Sequence, residues 1–427
     1  MFAWLANAWR VPELRRRVLF TAGVLAVYRF GSIVPAPGVS QSAIASIFSS
    51  GKGAGALGLL NLFSGSALSH FSLFALGIMP YVTASIIFQL LAVVIPSLER
   101  LQKEGEAGYA KITQYTRYAT VGLAAAQAAG YAFLFKNLTS GTGSTAAIPN
   151  FNVGRVLLIV ATLTAGTVLL MWMGEQITKR GVGNGISIII FASILSYAPT
   201  GISGWLNGSA SARLVLPIIA VGVVVAVVFV MEGQRRIPVQ YARRQLGGRD
   251  SSASTSTYMP LSVVMAGVIP IIFAAAVLAI PQTIGNFRPA WGNWLTTNFN
   301  YTGWQYLLTE AILIFVFTFF YTSVTFNPVD QADNLRKYNG YIPGIRPGPP
   351  TAAYLDRVLS RLTLFGGLFL ATVAVLPSIL INQFHFDQSV YRALGGTSVL
   401  IVVGVALQTM RQMESQMVMR HYEGFLR

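Results

Sequence analysis

The sequence predicts an all-α polytopic membrane protein, and two observations lead to this class. Hydrophobic residues make up 54% of the 427-residue chain and charged residues only 10%, whereas soluble domains carry about 25% charged residues. Apolar runs also recur along the whole length, many of them close to the roughly 20 residues that a helix needs to cross a bilayer. The short alternating segments of a membrane β-barrel are not the dominant pattern.

The apolar runs predict ten transmembrane helices, near residues 18–34, 72–95, 116–135, 154–174, 184–199, 212–231, 261–281, 306–326, 362–381 and 395–411. With these ten spans, 23 of the 30 Lys and Arg residues fall on the side of the chain termini and six on the other side, while Arg29 lies within the first span. The positive-inside rule therefore predicts that both termini are cytosolic.

Three further features of the sequence bear on its topology and chemistry. The opening stretch MFAWLANAWRVPELRRR is basic and amphipathic, which favours an interfacial helix over a cleaved signal peptide. Two long loops on the predicted cytosolic side, 232–260 and 327–361, each carry five basic residues. The chain has no Cys, which excludes disulfides and thiol chemistry.

The sequence offers no constellation typical of an enzyme, so we expect no catalytic residue, no metal and no cofactor. The three His residues lie far apart in the chain, and the Gly-Lys at residues 51–52 lacks the spacing and the Ser or Thr of a phosphate-binding loop. The 14 acidic residues all lie in loops or near span ends, with Glu175 and Glu310 closest to a span. Ion-coupled transporters usually place a carboxylate at mid-membrane.

The spans instead contain small and neutral polar residues. They are Thr83, Ser85, Gln89, Gln127, Thr162, Thr164 and Thr167. Such residues commonly pack helices together, and they would also suit the wall of a passage that must not bind its cargo tightly. The sequence leaves both interpretations open.

Five stretches carry a resemblance to a known family: YRFGSIVPAPGV (28–39), FALGIMPYVTASIIFQLL (74–91), GEQITKRGVGNGISIIIF (174–191), FNPVDQADNLRKYNGYIPGIRPG (326–348) and GGTSVLIVVGV (395–405). In this order, and over nearly the whole chain, they resemble the bacterial SecY family, the channel subunits of the Sec protein translocase. The resemblance implies two pseudo-symmetric halves of five spans, 1–200 and 201–427, around an hourglass pore that opens end to end or sideways between spans two and seven.

The resemblance also implies a plug, a short re-entrant helix at about residues 55–70 that closes the outer funnel. Its small residues and weak helix propensity suit an element that must leave its seat. A helix that does not span is tolerated at membrane depth only where protein surrounds it or where it lines a cavity. The plug residues that we expect to matter are Leu57, Leu60, Leu62, Phe63, Ser64 and Gly65.

By the same resemblance, a ring of aliphatic side chains forms the constriction of the pore: Ile78, Val82, Ile186, Ile190, Ile272 and Ile401, with Ile269 as the alternative in span seven. An apolar ring resists wetting and so blocks ions. Ile78 and Val82 are four residues apart, so we expect them on one face of helix two. Pro80 lies between them, which predicts a kink in that helix.

The remaining implied sites concern the gate and the partners. Thr83 and Gln127 are candidates for the polar residues of the lateral gate. The basic loops would dock the SecA ATPase motor or the ribosome, through Arg235, Arg236, Arg243, Arg244 and Arg346. Other implied partners are the SecE and SecG membrane subunits, signal peptides, unfolded or nascent polypeptides, and lipid, in the bacterial inner membrane.

The function expected from these features is a protein-conducting channel without enzymatic activity. The alternative is a secondary transporter of a small solute, since ten spans and inverted repeats would also suit that class. The lack of charge at the span centres, the plug-like segment and the large basic loops favour the channel.

Overall fold

The computed structural model of the chain describes residues 11–49, 61–140, 147–149, 151–207, 210–241, 257–285, 303–383 and 395–423. In chain order the elements are α1 (Pro12–Gly31), α2 (Gln41–Ser49), α3 (Met79–Val94), α4 (Pro96–Lys103), α5 (Glu106–Ser140), α6 (Val153–Arg180), α7 (Gly185–Leu195), α8 (Ala198–Leu206), α9 (Ala210–Glu232), β1 (Gln234–Tyr241), β2 (Thr257–Ser262), α10 (Ile269–Gly285), α11 (Trp304–Thr325), α12 (Pro328–Lys337), β3 (Gly340–Tyr341), α13 (Pro349–Gln383) and α14 (Gly396–Glu423).

The predicted helical class is confirmed, because each of the ten predicted spans overlaps one of these helices. Among the described residues, six helical segments are long and apolar enough to cross a membrane by themselves, and α3 with α4 adds a seventh if that pair counts as one span. The pair is bent by 100° at Ile95, so α4 turns away from the direction of α3. We call the side that carries α4 and the three strands the basic side.

The second predicted span begins later than the sequence indicates. Residues 72–78 form turns and an isolated bridge rather than helix, and α3 starts at Met79 with Ile78 as its N-cap. Gly77 has a φ of +59°, a left-handed conformation that ends one local structure before the next begins. Pro80 is in the first turn of α3, where its missing N–H costs nothing. The predicted kink at Pro80 is therefore wrong: this proline opens the helix.

The seventh predicted span departs from the sequence in the same way. Residues 263–268 form turns, and α10 starts only at Ile269. Gly267 has a φ of +60°, and Pro270 follows it at the same interval at which Pro80 follows Gly77. The turns that lead into spans two and seven thus have the same backbone design, a left-handed glycine three residues before a proline in the first helical turn.

The helices that pack on these two sets of turns also correspond, because each contacts its turns through a glycine. A Cβ on Gly166 of α6 would clash with the carbonyl oxygen of Leu73, and a Cβ on Gly366 of α13 would clash with that of Val263. Leu73 and Val263 each lie four residues before the left-handed glycine of their own turns. At these glycines, spans four and nine therefore pack directly on the main chain of the turns that lead into spans two and seven, at equivalent positions.

A third correspondence joins spans five and ten. Gly185 begins α7 and would direct a Cβ into the carbonyl oxygen of Gly174 on α6. Gly396 begins α14 and would direct a Cβ into the carbonyl oxygen of Ala374 on α13. Both glycines are needed because backbone meets backbone at these helix starts.

The helices form two sets. The first contains α1, α3, α5, α6 and α7, and the second contains α9, α10, α11, α13 and α14. The sets meet chiefly where α3 contacts α10 and where α7 contacts α14. One large apolar cluster of buried residues runs through this junction and draws on helices of both sets.

The basic side carries a small antiparallel sheet of order β2-β1-β3, which the sequence did not lead us to expect. Arg235 pairs with Leu261, and Gln240 pairs with Tyr341. The sheet buries Ile237, Leu261 and Ile342 against Leu355 and Leu359 of α13 in an apolar cluster of its own. The two basic loops thus fold together into one unit, which we call the basic platform (the described residues 234–241, 257–262 and 340–359).

The glycine contacts predict a specific sensitivity to one added methyl group. Gly185→Ala and Gly396→Ala should each destabilise the protein by about 1–3 kcal/mol, because the helix starts must move apart to relieve the overlap. Gly222→Ala is the matched control, since nothing lies within 4 Å of a Cβ at that position of α9. Thermal unfolding of the purified variants measures the effect. Equal unfolding temperatures for all three would contradict the role given to the backbone contacts.

Candidate pore and plug

The six aliphatic residues predicted for a constriction lie in or against one apolar cluster. Ile78, Val82, Ile190, Ile272 and Ile401 are members of the large cluster at the junction of the two helix sets, and each is at most 4% exposed. Ile186 is half-buried and packs against the same cluster. Ile269, the alternative in span seven, also packs there but is less enclosed than Ile272.

The four helices that carry these residues all begin close to the cluster. Ile78 is the N-cap of α3, Ile186 is the second residue of α7, Ile272 the fourth of α10 and Ile401 the sixth of α14. Ile78 therefore precedes the helix that was predicted to contain it, although the amide of Val82 still donates to its carbonyl at 3.1 Å. The constriction residues lie at helix starts, whose positions are fixed by turns and caps.

Hydrogen bonds to side chains, one from the N-cap of the helix and two from neighbouring helices, fix two of these starts. The amide of Ile186 donates to Oδ1 of Asn184 at 3.1 Å, and the amide of Gly185 donates to Oγ1 of Thr178 on α6 at 2.9 Å. At α14, Oγ1 of Thr397 donates to Oε1 of the buried Glu310 on α11 at 2.7 Å. Ile401 follows Thr397 by one turn, so this bond sets the height of Ile401 along its helix axis.

The charged residues closest to the spans have partners as well. Arg117 of α5 donates to Glu175 of α6 through Nε at 2.7 Å and Nη2 at 2.5 Å. This bidentate ion pair ties span three to span four. Glu310 bonds to Thr397 as described, and Arg29 binds a carbonyl of the plug segment.

The plug residues that the structure describes are buried beside the constriction. Residues 61–64 are helical and residues 65–70 continue as turns, so the helix ends at Ser64 rather than at the predicted residue 70. Leu62 and Phe63 are 5% and 3% exposed and belong to the same cluster as the constriction residues. Ser64 and Gly65 are buried too. Leu57 and Leu60 lie outside the described residues.

The plug segment has polar anchors that the sequence did not reveal. Tyr28 and Arg29 of α1 and Tyr197 after α7 donate to main-chain carbonyls of Ser64, Gly65 and Asn61. The one available signal was Arg29, the single basic residue inside a predicted span. Its partner is separated from it by 36 positions, and no local pattern encodes that pairing.

The candidate gate residues lie on neighbouring helices. Thr83 of α3 is 7% exposed, and Gln127 of α5 is half-buried. Helix α3 packs on α10, the helix of span seven, along the predicted opening line of the gate. The burial and packing of these two side chains assign a gating contact to neither, so their role stays a prediction.

The neutral polar residues of the spans divide into two kinds. Ser85 and Gln89 line a cavity of about 340 Å³ between α3, α5 and α11, together with Tyr81, Tyr109 and Tyr321. Thr162 and Thr167 donate to the carbonyls four residues before them on α6. Thr164 Oγ1 is buried and has no hydrogen-bond partner among the described residues. Ser85 and Gln89 thus face a cavity and Thr162 and Thr167 bond within their own helix, so the choice between passage and helix packing stays a prediction.

The basic residues of the platform are presented to the exterior. Arg235 and Arg236 are exposed on β1, and the Arg236 guanidinium lies 4.8 Å from the centre of the Tyr258 ring. Arg346 is exposed in the turn after β3, between Gly344 and Gly348 with φ of +83° and +104°. Its carbonyl accepts from Thr351 Oγ1 at 2.8 Å. Arg243 and Arg244 lie outside the described residues.

These features define a class. A multi-pass helical protein has a buried apolar cluster at the junction of two sets of helices, and the predicted constriction residues lie in or against it. A non-helical segment that does not span is held within the protein beside the same cluster. Non-helical backbone at membrane depth is tolerated where protein encloses it or where it lines a passage. The arrangement is that of a membrane channel closed by its own chain.

Comparison with known proteins identifies the family. The SecY family profile matches residues 72–410. The protein translocase subunits SecY of Streptomyces coelicolor and Halalkalibacterium halodurans are 46% and 45% identical over 447 and 445 residues, each covering 100% of both chains. The chain belongs to the SecY family.

Solved structures agree in fold. A structure described as that of a protein conducting channel has a TM-score of 0.66 at 17% identity, and it covers 97% of each chain. Sec61 in the canine ribosome-channel complex has a TM-score of 0.62 at 18% identity, again over 97% of each chain. At these identities the likeness establishes the shared fold.

The apolar cluster predicts how a polar substitution acts. Ile401→Ser should make the resting channel conduct ions, because a hydroxyl at a fully buried position of the constriction favours wetting. Ile218→Ser on α9, where Ile218 is 72% exposed, is the matched control and should leave the conductance unchanged. Single-channel recording in planar bilayers measures both variants. A tight Ile401→Ser channel would remove Ile401 from the constriction.

Proposed function

We propose that the protein is the channel subunit of a protein translocase. It passes unfolded, signal-bearing polypeptides across the membrane and releases hydrophobic segments sideways into the bilayer. The observation that carries the proposal is the burial of the constriction residues and the plug segment in one apolar cluster between two helix sets. Membership of the SecY family supports the same function.

The proposed pore lies between two halves, residues 1–200 and 201–427. Three pairs of equivalent features support this division: the left-handed glycines 77 and 267, the bare contacts of glycines 166 and 366, and the helix starts at glycines 185 and 396. Every pair has one member in each half. The halves contact each other at α3–α10 and α7–α14, so separation at α3–α10 opens a lateral gate beside Thr83 while α7–α14 acts as the hinge.

In this mechanism the constriction seals the pore when it is empty and fits around a polypeptide when one passes. Aliphatic side chains make no directional bonds, so they close by dewetting and yield to a passing chain of any sequence. Ile78, Val82, Ile186, Ile190, Ile272 and Ile401 form this ring, and the plug closes the funnel on one side of it. The protein has no catalytic step of its own, and the driving force comes from partners.

The basic platform is the proposed docking surface. Its exposed arginines suit the phosphates of ribosomal RNA and acidic protein surfaces. We infer that it receives a SecA motor or a ribosome in the cytosol, which places both chain termini there and the plug on the outer side of a bacterial inner membrane. The ribosome complexes of the canine Sec61 and the yeast Ssh1 support a ribosome as one partner. SecE and SecG are the proposed membrane partners.

Reconstitution tests the function. The protein is placed with its SecE and SecG partners in sealed vesicles, and SecA, ATP and an unfolded signal-bearing protein are added outside. We expect the substrate to become protected from protease only when ATP is present. Vesicles without this protein provide the control.

Two outcomes oppose the proposal. Absence of protection, with the partners and SecA shown to be bound, would rule out polypeptide translocation under conditions that support it. Uptake of a small solute coupled to an ion gradient by the same vesicles would identify a secondary transporter instead.

A charge reversal tests the docking surface. Arg346→Glu should lower ATP-driven transport at least about 10-fold, because reversing one charge at a docking contact costs more than the roughly 1.4 kcal/mol of a tenfold change. Arg100→Glu is the matched control, since Arg100 is also exposed on the basic side but belongs to α4. Transport is measured by protease protection and SecA affinity by titration. Full activity of Arg346→Glu would argue against docking at this turn.

A further inference from the structure

A cluster of polar side chains surrounds the described end of the plug segment. It contains Tyr28 and Arg29 from the end of α1, and Ser193 and Tyr197 from the end of α7 and the residue before α8. None of them belongs to the constriction, the gate or the basic platform. The two helices that supply them approach the plug segment from different parts of the chain.

The acceptors are main-chain carbonyls. Tyr197 Oη donates to the carbonyl oxygen of Asn61 at 2.9 Å, Tyr28 Oη to that of Ser64 at 3.1 Å, and Arg29 Nη1 to that of Gly65 at 2.9 Å. The carbonyl oxygens of Asn61 and Ser64 also accept from the main-chain amides of Ser66 and Ala67 within the segment. The cluster therefore adds bonds from α1 and from Tyr197 to the backbone of the plug segment, and these bonds tie it to its surroundings.

The Tyr28 hydroxyl has two partners. It lies 2.6 Å from Oγ of Ser193 as well as 3.1 Å from the Ser64 carbonyl. The single proton of Ser193 has an acceptor of its own, because Ser193 Oγ donates to the Ile189 carbonyl at 2.8 Å. The phenol proton of Tyr28 therefore lies between Ser193 Oγ and the plug carbonyl, both of which can accept it. These contacts hold the Tyr28 hydroxyl between α7 and the plug segment.

The fit around Gly65 is close. Its φ is +65°, and a Cβ there would lie 2.7 Å from Tyr28 Oη and 3.2 Å from Cα of Ser193. Gly77, two residues before α3, similarly faces the Phe63 carbonyl and Ser64 Cα at 3.2 Å. The plug backbone is thus packed closely at two points, through its own Gly65 against Tyr28 and Ser193 and through Ser64 against Gly77, and its carbonyls lie within reach of the donors.

We propose that Tyr28, Arg29 and Tyr197 form a polar latch that holds the plug shut through its backbone carbonyls. The inference rests on the proposed function, since it assumes that the plug leaves its seat during transport. It assigns the closed state to directional bonds from spans one and five in addition to the apolar contacts of Leu62 and Phe63.

Hydrogen bonds suit a closure that must open and close again. When the plug moves into an aqueous funnel, water replaces each bond, so the net contribution of one bond to closure is small. Three such bonds made together restrict the plug to one position, because each requires its own donor and acceptor geometry. Breaking one of them should shift the equilibrium without disrupting the surrounding helices.

The test uses Tyr28→Phe and Tyr197→Phe, which remove only a hydroxyl. Tyr306→Phe is the matched control, because Tyr306 is 2% exposed on α11 and belongs to a different apolar cluster. Arg29→Met removes the third donor, and Arg29→Lys restores a donor at that position. Circular dichroism and the unfolding temperature establish that each variant is folded.

The readout is exposure of the plug. The chain contains no Cys, so Leu62→Cys introduces a single thiol that is buried while the plug is seated. We expect Tyr28→Phe and Tyr197→Phe each to raise its labelling rate by a small aqueous maleimide about 2- to 10-fold, the range that a net hydrogen bond corresponds to. Ion leak through the reconstituted channel should rise in parallel, and Arg29→Lys should leak less than Arg29→Met.

The outcomes separate the latch from the function on which it rests. Labelling and leak at the level of Tyr306→Phe in folded variants that still translocate would overturn the latch and leave the channel intact. Failure of the unsubstituted protein to translocate would instead count against the proposed function. A latch variant with faster labelling and an unchanged unfolding temperature would support both.

Discussion

A peptide carbonyl or amide inside a membrane must find its partner within the protein, because the hydrocarbon offers none. This constraint explains why nearly every described residue at membrane depth is helical and why the exceptions are informative. Residues 65–78 and 263–268 are non-helical stretches that lead into spans two and seven. Both stretches adjoin the central apolar cluster. The chain interrupts its helices where a passage would lie, and neighbouring protein encloses the freed backbone.

Glycine makes these interruptions compatible with close packing. Gly166 and Gly366 let one helix of each set rest on a carbonyl within an interruption, and Gly185 and Gly396 let two helices begin against backbone. The contacts recur at equivalent places in the two sets, so the same solution to backbone packing is used twice. Ile186 and Ile190 follow Gly185 and Ile401 follows Gly396, while the other predicted constriction residues follow the left-handed Gly77 and Gly267. The positions of these side chains therefore depend on glycine backbone at the starts of their helices.

The spans were predictable because burial of a helix in lipid requires a long apolar run, which composition reveals directly. The starts of spans two and seven were not, since residues 72–78 are as apolar as the helix that follows them. The positive φ of Gly77, rather than hydropathy, decides that α3 starts at Met79. The kink predicted at Pro80 is wrong, because the effect of a proline depends on whether it falls in the first turn of a helix or later.

The constriction could be named only through resemblance, because an isoleucine in a pore and an isoleucine in a core have the same local pattern. The side chains that anchor the plug segment could not be predicted from the sequence, for a different reason. Tyr197 and Asn61 are 136 positions apart, and the acceptor is a main-chain oxygen that every residue type possesses. A donor side chain can be recognised in a sequence, but a carbonyl acceptor leaves no trace there. The proposed seal and the proposed anchoring of the plug thus use different interactions. Aliphatic side chains exclude water whatever the sequence of the passing chain, while directional bonds to the plug backbone place the plug against them. A channel that admits many different chains needs the first property at its constriction and the second in the segment that closes it.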